Sequence, residues 1–220
     1  MTPPITPKLV RLREAGQPKG LADRAGILLH GRSRTKQEML DLTSGLDVPG
    51  ARWLAPYAGA GLWYPGRYVE PIESNEPQLT RSVERTHWLV LDAAEGGRLG
   101  PEQIFIVGFS QGACIAVEYA LRHPSSVAAI VVFTGCLMGP AGTIWKTAGG
   151  QSLKGLSVFL TGSDADEWVD EARTHETARV LRDLGADVEM HIYPGRGHVV
   201  SKQELADARD FLKRRIGEAP

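Results

Sequence analysis

Short, uninterrupted runs of apolar residues, rich in β-branched Val and Ile, alternate along this chain with longer segments of helical periodicity. This alternation constrains the fold more than any other feature of the sequence. Runs without polar interruption are typical of parallel strands, because helices cover both faces of such strands. Strands that alternate with helices over short connections predict an α/β fold with a mostly parallel, doubly wound sheet and helices on both faces. The predicted strands are 25–29, 52–55, 104–107, 127–133, 156–160 and 188–193.

The helical segments carry recognisable end signals. Residues 201–216 begin with the pattern Ser-x-x-Glu, which predicts a capping box at the start of that helix. Gly185 follows the segment 169–184 and has the backbone freedom that commonly ends a helix. The other predicted helices are 35–46, 76–95 and 110–122.

Two stretches rich in Gly and Pro are predicted to be loops. Residues 56–77 are expected to form a long loop at the edge of the sheet, and residues 135–155 a second loop with at most a short helix. Because this second loop fills the interval between two neighbouring strands, we expect no large lid domain there.

Size and charge narrow the class of protein. The 220 residues fit one domain over residues 1–220, in which residues 1–24 form an N-terminal extension with a candidate edge strand. A domain of this length buries enough surface to fold without a metal or disulfide. Lys and Arg number 25 against 26 Asp and Glu, a net charge of -1, which argues against a nucleic-acid-binding surface.

Cysteine usage and hydropathy bear on the compartment. The chain has two cysteines, Cys114 and Cys136, and no CxxC motif, which favours a reducing compartment. The apolar run 127–133 is too short to span a membrane, and the N-terminal residues lack the apolar core of a secretory signal. The sequence therefore predicts a cytoplasmic protein without a membrane span.

Ser110 is the candidate nucleophile. It stands in Gly108-Phe-Ser-Gln-Gly112, which matches G-x-S-x-G, immediately after a predicted strand and immediately before a predicted helix. This context is that of a nucleophile elbow, in which strand and helix come so close that only glycine fits two residues before and two after the serine. The alternative is a plain strand-to-helix turn with Ser110 as its N-cap.

His198 and Asp166 are the candidate base and acid. His198 lies in a glycine-rich loop after the last predicted strand, and Asp166 follows the strand 156–160. The carboxyl ends of parallel strands meet at one edge, so both side chains are expected near Ser110. The order Ser, Asp, His is that of the α/β-hydrolase fold. Asp164 and Asp170 are alternatives for the acid.

The oxyanion of an acyl-transfer intermediate needs hydrogen-bond donors. We expect the backbone N–H of Gln111, at the helix N-terminus, and the backbone N–H of Arg32, in the loop after the first predicted strand, to supply them. No phosphate-binding loop is present, and no cluster of His, Cys, Asp or Glu has metal-ligand spacing.

Five motifs stand out together: His30-Gly-Arg, Trp63-Tyr64, GFSQGA (108–113), GSDADEWV (162–169) and GRGH (195–198). Together they resemble the phospholipase/carboxylesterase family of small α/β-hydrolases, which is related to the acyl-protein thioesterases. The resemblance runs from about Gly26 to Phe211. Its most specific part is GFSQGA, since that family characteristically has Gln after the serine.

The resemblance implies a Ser-Asp-His esterase without a cofactor, often dimeric, in which Trp63 and Tyr64 line the acyl groove. This chain departs from the family pattern in two places. The family usually has Asp-Pro-x-Val-Pro at the acid, where residues 166–170 read Asp-Glu-Trp-Val-Asp, and it often has glycines after His-Gly, where residues 32–34 read Arg-Ser-Arg.

The predicted function is that of a serine carboxylesterase that hydrolyses short- to medium-chain esters of small molecules through an acyl-enzyme. A homodimer is the candidate assembly. A thioesterase or lysophospholipase-type enzyme, a lactone hydrolase and a non-catalytic binding protein with the same fold are alternatives. The arginines expected near the rim of the site raise the hypothesis that substrates carry a carboxylate or phosphate; they are Arg32, Arg34, Arg67 and Arg196.

Overall fold

A computed structural model describes residues 12–216 of the chain. Its strands are β1 (Arg13–Gly16), β2 (Arg24–Leu29), β3 (Ala51–Ala55), β4 (Ile104–Phe109), β5 (Ala129–Phe133), β6 (Ser157–Gly162) and β7 (Asp187–Ile192). They form one sheet in the order β1-β3-β2-β4-β5-β6-β7, in which β1 is antiparallel to β3 and every other neighbouring pair is parallel. The predicted mostly parallel, doubly wound sheet is therefore confirmed.

The helices cover both faces of this sheet, as predicted. They are α1 (Lys36–Asp41), α2 (Thr43–Leu46), α3 (Gln78–Ala93), α4 (Gln111–Arg122), α5 (Glu171–Asp183) and α6 (Lys202–Arg215). Helices α3, α4 and α5 pack on one face, and α1, α2 and α6 on the other. The capping box predicted for α6 is present: the Ser201 hydroxyl accepts from the Glu204 N–H at 3.1 Å, and the Glu204 carboxylate accepts from the Ser201 N–H at 2.8 Å.

Strand β4 shows why the apolar runs are uninterrupted. Ile104 and Ile106 enter the core beneath α4, whereas Phe105 and Val107 enter the core beneath α6. All four side chains are buried. Burying a side chain of this size stabilises the fold by roughly 1.5–3 kcal/mol, so both faces of the strand favour apolar residues.

The predicted helix 35–46 is divided into α1 and α2. The hydroxyl of Thr43 donates to the carbonyl of Leu40 at 2.7 Å, and the hydroxyl of Ser44 donates to the carbonyl of Asp41 at 3.2 Å. These side chains compete with backbone donors for carbonyls near the join. Local hydrogen bonding of this kind is a physical reason for the break that the apolar spacing did not reveal.

The loop 56–77 is not confined to the edge of the sheet, which corrects the sequence-based expectation. It crosses the carboxyl ends of β2 and β4, where the Trp63 N–H donates to the Gln111 side chain at 2.9 Å. Farther along, the carbonyl of Tyr68 accepts from the N–H of Gly139, beyond β5, at 2.7 Å. The segment between β5 and β6 holds only a short 3-10 helix, Ala148–Gly150, and no inserted lid domain.

Strand β1 forms the edge of the sheet and belongs to the predicted N-terminal extension 1–24. Residues 1–11 of that extension lie outside the described residues. Within 12–216, no helix has both the length and the apolar character needed to cross a bilayer.

Candidate active site

The turn from β4 into α4 has the geometry of a nucleophile elbow. Ser110 has φ 52° and ψ −118°, a conformation that non-glycine residues rarely adopt. A Cβ on Gly108 would lie 2.5 Å from Cα of Ala113, and one on Gly112 would lie 2.2 Å from the carbonyl oxygen of Leu29. The glycines are thus required by the close approach of strand and helix, and the turn exposes the Ser110 hydroxyl to the cavity above the sheet.

Three side chains that are far apart in sequence meet at the carboxyl edge of the sheet. Nε2 of His198 lies 2.7 Å from Oγ of Ser110, and Nδ1 of His198 lies 2.9 Å and 3.0 Å from the two carboxylate oxygens of Asp166. They follow β4, β6 and β7, whose parallel ends bring their loops together. The hydroxyl, the imidazole and the carboxylate form one continuous hydrogen-bonded chain.

Asp166 is buried and strongly hydrogen-bonded. Its Oδ1 accepts from the backbone N–H groups of Trp168 at 2.9 Å and Val169 at 3.1 Å, and its Oδ2 accepts from the hydroxyl of Thr134. Burial alone raises the pKa of this carboxyl, but the bonds from His198, Thr134 and the two N–H groups outweigh it and hold the pKa well below its usual value. Asp166 therefore stays ionised and can accept a hydrogen bond from the N–H at Nδ1 of His198. This leaves Nε2 of His198 free to accept a hydrogen bond from the Ser110 hydroxyl.

The two alternative acids lie elsewhere. Asp164 is exposed, and its carboxylate accepts from the N–H of Gly195 at 2.7 Å, which ties down the loop that carries His198. Asp170 is exposed at the start of α5, where it is the N-cap residue. Of the three aspartates, only Asp166 lies within hydrogen-bond distance of His198.

The residues predicted for the oxyanion site line the same cavity as Ser110. Gln111 is the first residue of α4, so its N–H has no acceptor within the helix. Its side chain is committed elsewhere: it accepts from the N–H of Trp63 at 2.9 Å and donates to the carbonyl of Tyr64 at 2.7 Å. An oxyanion site built from the N–H groups of Gln111 and Arg32 stays a prediction.

Trp63 does not line the cavity, which corrects its predicted role in substrate binding. Its side chain is only 1% exposed, and its indole N–H donates to the carbonyl of His30 at 2.7 Å. The imidazole of His30 in turn accepts from the N–H of Ala58 at 3.0 Å. Trp63 therefore fixes the loop over the sheet edge, and its neighbour Tyr64 is the member of the pair that faces the cavity.

The cavity has a volume of about 310 Å³, and Ser110 and His198 belong to its lining. Tyr64, Cys114 and Val169 belong to its lining, and burial raises the pKa of Tyr64 well above its usual value, so this phenol is neutral. The indole of Trp168 is 56% exposed at the cavity. Both cysteines are free and buried. No group of three or more His, Cys, Asp or Glu between residues 12 and 216 is arranged to hold a metal ion.

Sequence reasoning missed two residues that contact His198 and Asp166. The ring of Phe109 lies 5.2 Å from that of His198 and packs beside it. Thr134, whose hydroxyl reaches Asp166, follows β5 directly and has a positive φ of 49°. The signal available for Thr134 was a polar residue placed just after an apolar strand, at the edge where the other site residues were expected.

Arg196 was expected at the rim but points inward. Its side chain is 6% exposed and lies between two buried carboxylates, 3.6 Å from Asp166 and 3.1 Å from Glu204. It also donates to the carbonyls of Gly197 and Val199 at 2.6 Å and 3.1 Å. Arg196 therefore lies behind Asp166 and the loop that carries His198, and it stabilises both.

Comparisons with known proteins agree with this architecture. The model of the phospholipase/carboxylesterase family matches residues 17–216. The crystal structure of a phospholipase/carboxylesterase from Dyadobacter fermentans DSM 18053 is 30% identical, with a TM-score of 0.82 over 94% of this chain and 95% of that one. A probable carboxylesterase of Oryza sativa subsp. japonica is 28% identical over 66% of this chain and 60% of its own length.

A thioesterase is also among the similar proteins. Acyl-protein thioesterase 1 of Neurospora crassa is 26% identical over 77% of this chain and 73% of its own length. Against the three curated relatives named as probable carboxylesterases, the matches span only 60%, 55% and 53% of the relative's length. The family match covers most of this chain, as the sequence motifs led us to expect, and the chain belongs to the phospholipase/carboxylesterase family.

Proposed function

We propose that this protein is a serine carboxylesterase that hydrolyses short- to medium-chain esters through an acyl-enzyme. One observation carries the proposal: the hydroxyl of Ser110, the imidazole of His198 and the carboxylate of Asp166 form a hydrogen-bonded chain with links of 2.7 Å and 2.9 Å. The same arrangement recurs in serine hydrolases of unrelated folds.

In the proposed acylation, Oγ of Ser110 attacks the ester carbonyl carbon while Nε2 of His198 takes the hydroxyl proton. The negative charge that develops on the carbonyl oxygen is stabilised by the N–H groups of Gln111 and Arg32. When the intermediate collapses, the bond to the alcohol oxygen breaks and His198 gives the proton to that oxygen. The products are the free alcohol and an ester between Ser110 and the acid.

In the proposed deacylation, a water molecule attacks the acyl-enzyme and loses its proton to Nε2 of His198. His198 then returns the proton to Oγ of Ser110 as the acid leaves. Asp166 stays ionised throughout, because its carboxylate accepts from four donors and is also near the positive charge of Arg196. Its negative charge stabilises the imidazolium that forms in each half-reaction.

The size of the cavity supports the substrate class. Its volume of about 310 Å³ is at the lower end of the range for small-molecule pockets, roughly 300–1,000 Å³. The segment between β5 and β6 contributes no lid domain over the site. A short or medium acyl chain fits such a cavity better than a long one does.

The test is labelling with a fluorophosphonate probe together with hydrolysis of p-nitrophenyl esters of increasing chain length. We expect labelling of the wild-type chain at Ser110, and loss of both labelling and turnover in Ser110→Ala. Ser126→Ala is the matched control, because Ser126 precedes β5 at the opposite edge of the sheet, where its hydroxyl donates to the carbonyl of His123 at 2.6 Å. Retained turnover in a folded Ser110→Ala variant would remove Ser110 from the mechanism.

A thioesterase activity is the second candidate, supported by the likeness to the Neurospora crassa acyl-protein thioesterase. Thioesters use the same acyl-enzyme chemistry, so the choice is made by comparing kcat/KM for matched oxygen and sulfur esters of the same acid. A higher value for the thioester would favour this reading. Absence of fluorophosphonate labelling would instead favour a non-catalytic binding protein with this fold.

A further inference from the structure

The cavity at Ser110 is lined by three arginines and by no acidic residue. Arg32, Arg34 and Arg67 belong to its lining, and within the described part of the chain no Asp or Glu does. The chain as a whole has a net charge of -1, so this local excess of positive charge does not follow from the overall composition. A concave site lined by one sign of charge concentrates ligands of the opposite sign.

We propose that the physiological substrates of this site are esters that carry an anionic group, a carboxylate or a phosphate, a few bonds from the scissile carbonyl. This proposal rests on the proposed esterase function and specifies its substrate class. Guanidinium groups bind the oxygens of both anions in the same bidentate manner, so the shared chemistry is an oxyanion with at least two acceptor oxygens.

Arg32 is held in place without being neutralised. Its Nη2 donates to the carbonyls of Tyr64, at 3.3 Å, and Gly66. Carbonyl groups orient a guanidinium but carry no net charge, and among residues 12–216 no carboxylate lies within ion-pair distance of Arg32. A side chain that is already oriented loses less conformational freedom when it binds an anion.

Arg67 is exposed at the cavity, and its side chain is not used by the fold. Its backbone N–H donates to the Glu70 carboxylate at 3.0 Å, and its carbonyl accepts from the Asn75 side chain at 3.4 Å, so the loop is fixed by main-chain groups. In the described chain its guanidinium forms no ion pair, and Glu70 does not line the cavity. The positive charge of Arg67 is therefore available to a ligand.

Arg34 adds a third positive charge, which is partly compensated by a nearby carboxylate. Its Nη1 lies 3.5 Å from the carboxylate of Glu38, and both side chains are about half exposed, with relative exposures of 48% and 49%. Exposed pairs of this kind are weak and easily exchanged for another partner. The guanidinium lies 6.0 Å from the centre of the Phe109 ring, and the ring of His198 lies 5.2 Å from that same ring. Arg34 thus adds positive charge close to the catalytic histidine.

Matched ester pairs test the proposal. Monomethyl adipate and methyl hexanoate both have six-carbon acyl chains and differ in a terminal carboxylate on the acyl side. The butyrate ester of 2-hydroxyethyl phosphate and 2-methoxyethyl butyrate differ in a phosphate on the alcohol side. We expect at least one anionic ester to exceed its neutral partner in kcat/KM by roughly tenfold at low salt, and this preference to shrink in 0.5 M NaCl because salt screens exposed charges.

Variants of Arg67 identify the source of the preference. Arg67→Gln is expected to lower the anionic-to-neutral ratio roughly fivefold, mainly through KM, because the arginine contacts a part of the substrate that does not react. Arg67→Lys keeps the charge and is expected to retain part of the preference. Arg179→Gln, which removes an arginine on α5 that pairs only with the exposed Asp183, is the matched control and is expected to leave the ratio unchanged.

A binding measurement separates this proposal from the proposed catalysis. In Ser110→Ala, calorimetry with monomethyl adipate, with the phosphate ester and with their neutral partners reports affinity without turnover. Tighter binding of an anionic ester that is lost in Ser110→Ala/Arg67→Gln supports the proposal even if the wild-type chain hydrolyses no ester. Equal affinity for the anionic and neutral members of both pairs would overturn it, whatever the activity of Ser110.

Discussion

Removing the charge of Glu204 while keeping its shape tests how Arg196 is held beside Asp166. Glu204 is fully buried and lies 3.1 Å from Nε of Arg196, whose side chain is 6% exposed. The 3.1 Å contact is to Oε2 of Glu204, and within the described chain Nε of Arg196 has no aligned hydrogen-bond partner, so the attraction between the two groups is mainly electrostatic. Glu204→Gln removes this attraction and leaves Arg196 with Asp166, at 3.6 Å, as its remaining carboxylate.

The expected loss of stability follows from this geometry. Breaking a buried ion pair by removing one partner costs about 3–5 kcal/mol, because the other charge stays buried without compensation. Asp166 compensates part of the charge of Arg196, so the loss belongs at the lower end, about 3 kcal/mol. The substitution keeps the capping box of α6, since Gln at the third helical position accepts from the Ser201 N–H as Glu does.

The assay is equilibrium unfolding in urea, with the free energy of unfolding compared at an unchanged m-value. The matched control is Ser201→Ala, which removes the cap of the same helix but leaves the ion pair, and is expected to lose only about 1 kcal/mol. If Glu204→Gln loses no more than Ser201→Ala, then the charge on Glu204 does not stabilise Arg196 and the electrostatic reasoning is wrong.

Three further predictions concern the site and its supports. Asp166→Asn is expected to fold and to lower kcat by roughly 10⁴-fold, because the amide favours the wrong tautomer of the His198 imidazole. Steady-state kinetics on a p-nitrophenyl ester measure this loss, and a loss below tenfold would contradict the prediction. Gly112→Ala places a Cβ 2.2 Å from the Leu29 carbonyl oxygen and is expected to lower the melting temperature sharply, whereas Gly59→Ala, where no atom lies within 4 Å, is expected to change it little. Burial lowers the pKa of His30 below its ordinary value of 6.5, and the hydrogen bond to the Gly31 carbonyl offsets this only in part. As the pH falls, His30 is therefore protonated in the unfolded chain at a higher pH than in the folded one, and the free energy of unfolding is expected to decrease below about pH 6.5. Urea midpoints at pH 7.5 and 5.5 should differ less in His30→Asn than in the wild type, and an equal difference would exclude His30 as a source of the pH dependence.

Much of the fold could be predicted from the sequence because its signals are local. The uninterrupted run before Ser110 predicts a strand buried on both faces, and the glycines around the serine report a strand and helix in close contact. Both are properties of a few neighbouring residues, and the structure has the strand at Ile104–Phe109 and the crowding at Gly108 and Gly112. The capping box of α6 is likewise a pattern within four residues.

The tertiary structure decided the features that depend on residues far apart in the chain. Asp164, Asp166 and Asp170 are equivalent in local sequence, and the distinction between them is the distance to an imidazole that another loop supplies. Trp63 and Tyr64 are neighbours with similar chemistry, but the indole of Trp63 is buried and donates to the carbonyl of His30, whereas Tyr64 belongs to the lining of the cavity.

Arg196 and Arg67 show the same limit. Both are arginines in loops that approach the site, and local sequence gives them the same surface role. Two buried carboxylates from other elements hold Arg196 behind the triad, whereas no such partner reaches Arg67 within the described chain, and its charge remains at the cavity. Local pattern thus determined the strands, the elbow and the helix cap, while the direction of each polar side chain was fixed by long-range partners, since hydrogen bonds and ion pairs form only between groups that the whole fold brings within a few ångströms.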